Sequence, residues 1–146
     1  GLLHELRGHG EVAVRALHDQ SARGELRGAP VAHEKGDVAA DLREPAVAIG
    51  MLEARPDGHI VELGYVLAPR HWGAGLMPEA IAALSARILA DEVFFRVQAF
   101  CDVENRQSQR ALEKAGFTRE ARLARFAIHP NLSEEPRPCF MYARWR

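Results

Sequence analysis

Between residues 61 and 88 the chain passes from a two-residue apolar repeat, through a glycine-rich turn, into an apolar repeat of helical spacing. Alternation predicts a strand, and its apolar positions are Val61, Leu63, Tyr65 and Leu67. The three-to-four-residue spacing predicts a helix, and its apolar positions are Met77, Ile81, Leu84 and Ile88. The turn between them therefore lies at the start of a helix.

That turn has the pattern Arg70-x-x-Gly73-x-Gly75. Glycine allows the backbone to bend and to approach a ligand closely, and Pro78 fits the first helical turn because its missing N–H is not needed there. Free amides and the helix dipole at this position favour an anion. The pattern is neither a Walker loop nor a dinucleotide-binding fingerprint, and by itself it is also compatible with a simple tight turn.

A second informative segment begins with an apolar stretch at 94–101, which predicts another strand. Asn105 is a good N-cap for a following helix, Gly116 is a good residue for the left-handed position after its end, and Phe117 can fold back on Leu112. Ser108 then falls in the first helical turn, where capping is one interpretation of its presence.

Taken together, the two segments resemble the GNAT superfamily of N-acetyltransferases. Arg70, Gly73 and Gly75 match the motif [QR]-x-x-G-x-[GA], and residues 105–117 are similar to N-x-x-[SA] followed by K-x-G-F. Within the superfamily, residues 49–75 and 141–144 look like the branch of ribosomal-protein alanine N-acetyltransferases.

The resemblance implies a mixed α/β fold with a mostly antiparallel sheet, helices on both faces and strands splayed apart at the acetyl-CoA site. Gly64, in mid-strand, suits a bulge at that point. The resemblance covers 45–146, and the preceding part is shorter than the family normally has. There we expect a strand at 2–6, a short helix at 11–20 and a strand at 31–35.

The resemblance also implies acetyl-CoA as the acyl-donor cosubstrate, with its pyrophosphate on the glycine-rich turn and its pantetheine arm along the preceding strand. Carried over to this sequence, the cofactor-binding residues are Tyr65, Val66, Leu67, Arg70, His71, Trp72, Gly73, Ala74, Gly75, Leu76, Asn105 and Ser108.

Acetyl transfer to nitrogen needs a neutral amine, donors for the developing oxyanion and a proton for the leaving thiolate. Glu62 is the candidate general base, because it is the only carboxylate on the strand beside the thioester; the alternative is a solvent-facing polar residue. Ser108 matches the serine that is thought to protonate the thiolate in the ribosomal-protein branch. That branch also has a glutamate near the position of Ala127 here, so either Glu62 replaces it or catalysis depends on positioning alone.

The expected acceptor is a primary amine, with the α-amine at a peptide or protein N-terminus ranked before small amines. The loop His129–Pro138, which carries Glu134 and Glu135, is expected to meet it. Two other functions stay open: a CoA-binding regulatory domain without catalysis, and a nucleotide-phosphate module, although the turn has no Mg²⁺ ligand beside it. A homodimer also stays open.

A chain of 146 residues with 47% hydrophobic content predicts one domain over 1–146. A net charge of -1 disfavours nucleic-acid binding, and Arg119, Arg122 and Arg125 are expected to be surface residues. No apolar run is long enough to span a bilayer, and Cys101 and Cys139 are too few for a disulfide framework, so we expect a cytoplasmic protein without a membrane partner. The histidine and cysteine spacings predict no metal site.

Overall fold

The computed structural model describes residues 12–15 and 49–146. These residues form a six-stranded sheet, two α-helices and a short 3-10 turn. In chain order the elements are β1 (Val12–Arg15), β2 (Gly50–Asp57), β3 (Ile60–Leu67), the 3-10 turn (Pro69–His71), α1 (Leu76–Leu89), β4 (Arg96–Asp102), α2 (Arg106–Lys114), β5 (Thr118–Ala127) and β6 (Arg137–Trp145).

The sheet has the strand order β1-β2-β3-β4-β6-β5. Every neighbouring pair is antiparallel except β3 and β4, which are parallel and are joined by the crossover through α1. A parallel pair needs a long connection of this kind, whereas the antiparallel hairpin of β2 and β3 needs only a short one. The prediction of a mixed α/β fold with a mostly antiparallel sheet is confirmed.

The helix expected at 11–20 is wrong where the structure describes that segment. Val12–Arg15 is a strand, and it pairs with β2 from Val12 opposite Ala54 to Arg15 opposite Met51. Val12 and Val14 are β-branched and favour a strand, and the edge of β2 offers the backbone hydrogen bonds that an isolated segment lacks. The strands expected at 2–6 and 31–35 lie outside the described residues.

One apolar core joins the sheet to both helices. The predicted strand and helix around the glycine-rich turn are confirmed, since Val61 and Leu63 are buried on β3 and the four predicted apolar positions of α1 are all buried. The same cluster contains Val97 and Ala99 of β4 and Leu112 of α2. Both described helices therefore pack on one face of the sheet, and the helices expected on its other face are not among the described residues.

The N-cap and the glycine ending predicted for α2 are both observed. The side chain of Asn105 accepts a hydrogen bond from the amide of Ser108 at 3.0 Å. At the other end Gly116 has φ 87°, the Phe117 amide donates to the Leu112 carbonyl at 3.0 Å, and the Gly116 amide donates to the Glu113 carbonyl at 3.1 Å. These two bonds are the Schellman pattern.

The residues Arg55-Pro56-Asp57-Gly58 predict a hairpin-like turn between two strands, but the β2–β3 hairpin turns later. β2 continues through Asp57, and the turn is Gly58–His59, with Gly58 at φ 58°. The long connection expected near 129–138 is confirmed, because it spans 128–136 between β5 and β6. No helix among the described residues is long and apolar enough to cross a membrane.

Candidate active site

β3 and β4 are paired over only a small part of their length. Pairing covers Ile60 opposite Arg96, Val61 opposite Val97 and Glu62 opposite Gln98. Beyond Glu62, β3 keeps its partner β2 as far as Leu67, and β4 keeps its partner β6 as far as Asp102. The two parallel strands therefore separate and leave a gap in the sheet after Glu62.

The turn after β3 presents the start of α1. Gly73 and Gly75 have φ 80° and 77°, a left-handed conformation that favours glycine, and Gly75 is the N-cap of α1 without a side-chain cap. Amides in the first turn of α1 are therefore not engaged by a capping side chain. Together with the dipole of this 14-residue helix, they form a site suited to an anion.

The 3-10 turn before these glycines is held by its own hydrogen bonds. The amide of His71 donates to Ala68 at 2.9 Å and the amide of Trp72 donates to Pro69 at 3.1 Å. The indole of Trp72 donates to the Leu67 carbonyl at 2.8 Å, which ties the turn to the end of β3. The amides of His71 and Trp72 are thus committed to the turn, which leaves the amides from Gly73 onward as the better anion donors.

Ser108 and Tyr65 meet on the helix-covered side of the gap. The two hydroxyl groups are hydrogen-bonded to each other. Burial raises the pKa of Tyr65 above its ordinary value, and the bond to Ser108 opposes that effect. Burial also raises the pKa of Cys101, next to this pair, to about 11, again partly offset by a hydrogen bond with Ser108. All three groups are neutral at physiological pH and can donate protons.

Glu62 lies on the opposite side of the sheet. Its neighbours Val61 and Leu63 are buried towards the helices, so the alternation of the strand directs Glu62 to the other face. One carboxylate oxygen lies 3.6 Å from Arg55 Nη1, and the other accepts a long hydrogen bond of 3.5 Å from Gln98 Nε2. The candidate base and the candidate acid Ser108 thus lie on opposite sides of the sheet, beside the same gap.

The family model of the acetyltransferase (GNAT) domain matches residues 4–118. The chain belongs to the GNAT family. The resemblance inferred from the two motifs is thereby confirmed. No curated protein gives a significant match.

Solved structures agree with the family at the level of the fold. A GNAT-family acetyltransferase from Bacillus anthracis is 27% identical with a TM-score of 0.60, over 68% of this chain and 59% of that chain. The ribosomal-protein-S5-alanine acetyltransferase from Vibrio fischeri is 18% identical with a TM-score of 0.61, over 67% and 54%. Spermidine N-acetyltransferase from Vibrio cholerae, solved with CoA and spermine, is 17% identical with a TM-score of 0.58, over 68% and 59%. This chain thus matches less than two thirds of the length of each.

Within this GNAT fold, the predicted site residues fall into two groups. The first group is continuous in sequence and runs from Tyr65, Val66 and Leu67 on β3 through the turn to Leu76 at the start of α1. Asn105 and Ser108 belong to the start of α2, and the contact of Ser108 with Tyr65 brings that helix to β3. Whether these residues bind a cofactor stays a prediction.

Ser108 had two interpretations, as a helix cap and as a proton donor to the thiolate, and its hydrogen bonds bear on the first. The group engaged by the N-cap is the Ser108 amide, which donates to Asn105, whereas the Ser108 hydroxyl bonds Tyr65. The hydroxyl therefore does not cap the GNAT helix α2.

Gly64 does not form the bulge that the sequence suggested. Pairing of β2 with β3 runs without a shift from Gly50 opposite Leu67 to Asp57 opposite Ile60. The absence of a side chain at Gly64 instead leaves room for the guanidinium of Arg55, because a Cβ there would lie 2.7 Å from Arg55 Nη2.

Among the residues that the structure describes, Arg55 and Gln98 contact Glu62, and the sequence interpretation missed both. Both are ordinary polar residues on strands, and only the register places them beside Glu62. Placing the turn at Gly58–His59 would have revealed Arg55, since that turn puts Arg55 directly opposite Glu62.

Proposed function

We propose that this protein transfers an acetyl group from acetyl-CoA to a primary amine, with an N-terminal α-amine of a peptide or protein as the first candidate. The observation that carries the proposal is the gap after Glu62. It has a helix start suited to an anion at one end, neutral hydroxyl donors on one side and a carboxylate on the other.

Acetyl-CoA fits the residues that surround this gap. The pyrophosphate would be held by the amides from Gly73 to Leu76, with Arg70 adding a positive charge, and the pantetheine arm would run along Tyr65, Val66 and Leu67. The Leu67 carbonyl already accepts the Trp72 indole, so Tyr65 and Val66 carry most of the backbone contacts in this proposal. Bound there, acetyl-CoA supplies an activated acyl group on sulfur.

The residues beside the gap have complementary roles in the proposed reaction. Glu62 takes a proton from the amine, directly or through water, as the nitrogen bonds the acetyl carbon. The carbon–sulfur bond breaks, Ser108 gives a proton to the departing sulfur, and Tyr65 replaces that proton through the hydrogen bond between the two hydroxyl groups. The proton taken up by Glu62 then leaves to solvent, and Tyr65 regains one from solvent. Because Glu62 and Ser108 are on opposite sides of the sheet, the amine and the leaving thiol do not compete for one side chain.

The choice of an α-amine follows from the cost of deprotonation. An α-amine has an ordinary pKa of about 7.7 to 8.0, so roughly a tenth of it is neutral at pH 7. A lysine, with an ordinary pKa of about 10.4, costs about 3.5 kcal/mol more to deprotonate. A site whose carboxylate is already ion-paired with Arg55 is better suited to the easier substrate.

The loop between β5 and β6 is the proposed acceptor contact. Its end is fastened to β4, since Arg137 donates to Asp102 at 2.5 Å and to Glu104 at 2.6 Å. Those bonds hold the loop at the carboxyl end of β4, the end at which β3 and β4 are apart. Glu134 and Glu135 lie on the loop, are exposed and would attract a cationic amine.

A thiol-release assay tests the proposal. The protein is mixed with acetyl-CoA and a panel of amines: a peptide that begins with alanine, its N-formyl control, spermidine and an aminoglycoside. We expect thiol release with the free peptide and none with the formyl peptide. CoA binding by calorimetry without release for any amine would favour the regulatory domain instead, and competition by ATP as strong as by CoA would favour the nucleotide-phosphate module.

A further inference from the structure

Arg55 occupies a space that Gly64 leaves open. Its Nη2 lies 3.3 Å from Glu53 Oε2, and its Nη1 lies 3.6 Å from Glu62 Oε1. A Cβ on Gly64 would come within 2.7 Å of Nη2 and 3.3 Å of the Glu53 oxygen. The guanidinium therefore lies over the glycine, between two carboxylates.

The hairpin register creates this arrangement. Arg55 is directly opposite Glu62, and Glu53 is directly opposite Gly64. Residues opposite each other on antiparallel strands share a face, so all four positions lie on the face away from α1 and α2. On its other side Glu62 is contacted by Gln98, which in turn accepts a hydrogen bond of 2.9 Å from Arg96.

We propose that Arg55 is a positioning residue for Glu62, a proposal that rests on the function proposed above. Glu62 is the last residue of β3 that pairs with β4, so its side chain lies where the gap begins. A glutamate side chain has several rotatable bonds, and a base must lie within hydrogen-bonding reach of the amine. Arg55 and Gln98 contact different oxygens and fix the carboxylate at that edge.

The competing explanation is that Arg55 and Glu62 form a surface ion pair that only stabilises the fold. The exposure of the two side chains argues against it. The side chains of Arg55 and Glu62 are 44% and 27% exposed. Exposed pairs of this kind contribute little to the stability of a protein, because solvent screens them and ordering two long side chains costs entropy. If stability were the only role of Arg55, its removal would leave turnover per folded molecule unchanged.

The test measures kcat, KM for both substrates and the melting temperature for Arg55→Met, Arg55→Lys and Gly64→Ala. The acceptor is the best amine of the panel. Arg122→Met, an exposed arginine on β5, is the matched control. We expect Arg55→Met to lower kcat about tenfold with KM for acetyl-CoA unchanged, and Arg55→Lys to recover part of the loss. Gly64→Ala should resemble Arg55→Met because its methyl group displaces the guanidinium.

The decisive measurement is a double-mutant cycle with Glu62→Gln. If Arg55 acts through Glu62, Arg55→Met should cause no further loss in the Glu62→Gln background. An equal loss in both backgrounds, or full activity of Arg55→Met, overturns the inference and leaves the proposed function standing. A wild-type protein that binds CoA but acetylates no amine overturns the proposed function and, with it, any role of Arg55 in catalysis.

Discussion

The hydroxyl of Tyr65 on β3 bonds the hydroxyl of Ser108 in the first turn of α2. Either hydroxyl can donate this hydrogen bond, and for Ser108 to act as the acid of the proposed function Tyr65 must donate it and Ser108 must accept it. The Ser108 proton is then directed elsewhere, and in the proposed function it goes to the leaving sulfur. This contact connects the two segments from which the family was inferred.

Ser108→Ala should separate catalysis from stability. The helix cap uses the Ser108 amide, which alanine retains, so the melting temperature should change little. We expect kcat to fall on the order of tenfold, which is less than is usual for a general acid because a thiolate leaves readily. Tyr65→Phe should give a smaller loss. A change confined to the melting temperature would reduce Ser108 to a structural role.

Gly75→Val should weaken CoA binding. Gly75 has φ 77°, and a Cβ placed there would meet no atom within 4 Å, so the main effect of valine is to strain the backbone at the N-cap of α1. A left-handed conformation costs an ordinary residue roughly 1–2 kcal/mol, and relaxation of the turn would misdirect its amides. Calorimetry should show a Kd for CoA raised about tenfold or more.

Gly58→Val is the matched control for that experiment. Gly58 has φ 58° and is equally open, but it lies in the β2–β3 turn, at the other end of β3. The two variants should lose comparable stability, and only Gly75→Val should lose CoA affinity. Equal Kd values in both would mean that the glycine-rich turn does not bind CoA.

Glu62→Gln should lower the rate and spare cofactor binding. Glutamine keeps the shape and can still contact Gln98, but it cannot accept a proton from the amine. We expect kcat to fall by about 100-fold, the lower end of the range for a general base, with the Kd for CoA within a factor of about two. Stopped-flow or steady-state thiol release measures it, and wild-type turnover in the variant would place the base elsewhere.

The double substitution Glu134→Gln with Glu135→Gln should change only the KM for the amine. Exposed charges attract a cation weakly, so we expect KM for the amine to rise about threefold and KM for acetyl-CoA to stay constant. Raising the salt concentration should erase the difference from wild type. Asp57→Asn with Glu92→Gln, two exposed acids elsewhere in the fold, is the control and should leave KM for the amine unchanged.

The Asp102–Arg137 contact should make stability depend on acid pH. Hydrogen bonding to Arg137 holds the pKa of the buried Asp102 carboxyl below its ordinary value of 3.8. A lowered pKa in the folded state stabilises the fold above the unfolded pKa, and this stabilisation is lost as pH falls through the folded pKa.

Asp102→Asn should therefore lower the urea midpoint at pH 7, and the difference from wild type should shrink below pH 4. Unfolding curves at pH 7, 5 and 3 measure this difference. A constant difference at all three values would show that packing, and not charge, explains the effect of the substitution.

Much of the fold follows from local signals in the sequence. The apolar periods of β3 and α1, the Asn105 cap and the Gly116 ending each depend on residues within one turn or two of each other, and each is found as predicted. Such signals act through backbone conformation and nearby hydrogen bonds, which the sequence states directly. The family motifs are of this kind, and for that reason they identified the fold.

Only the tertiary structure decided which side chains of different strands and helices are neighbours. Val12–Arg15 is a strand because β2 pairs with it. Arg55 lies opposite Glu62 because the hairpin turns at Gly58–His59, two residues later than expected, and the position of the turn sets the register. Tyr65 reaches Ser108 because the strands separate and α2 returns to β3 over 43 residues of sequence. Side chains on different strands become neighbours through the register and the crossover, and both depend on where the chain turns and not on the period within any one strand.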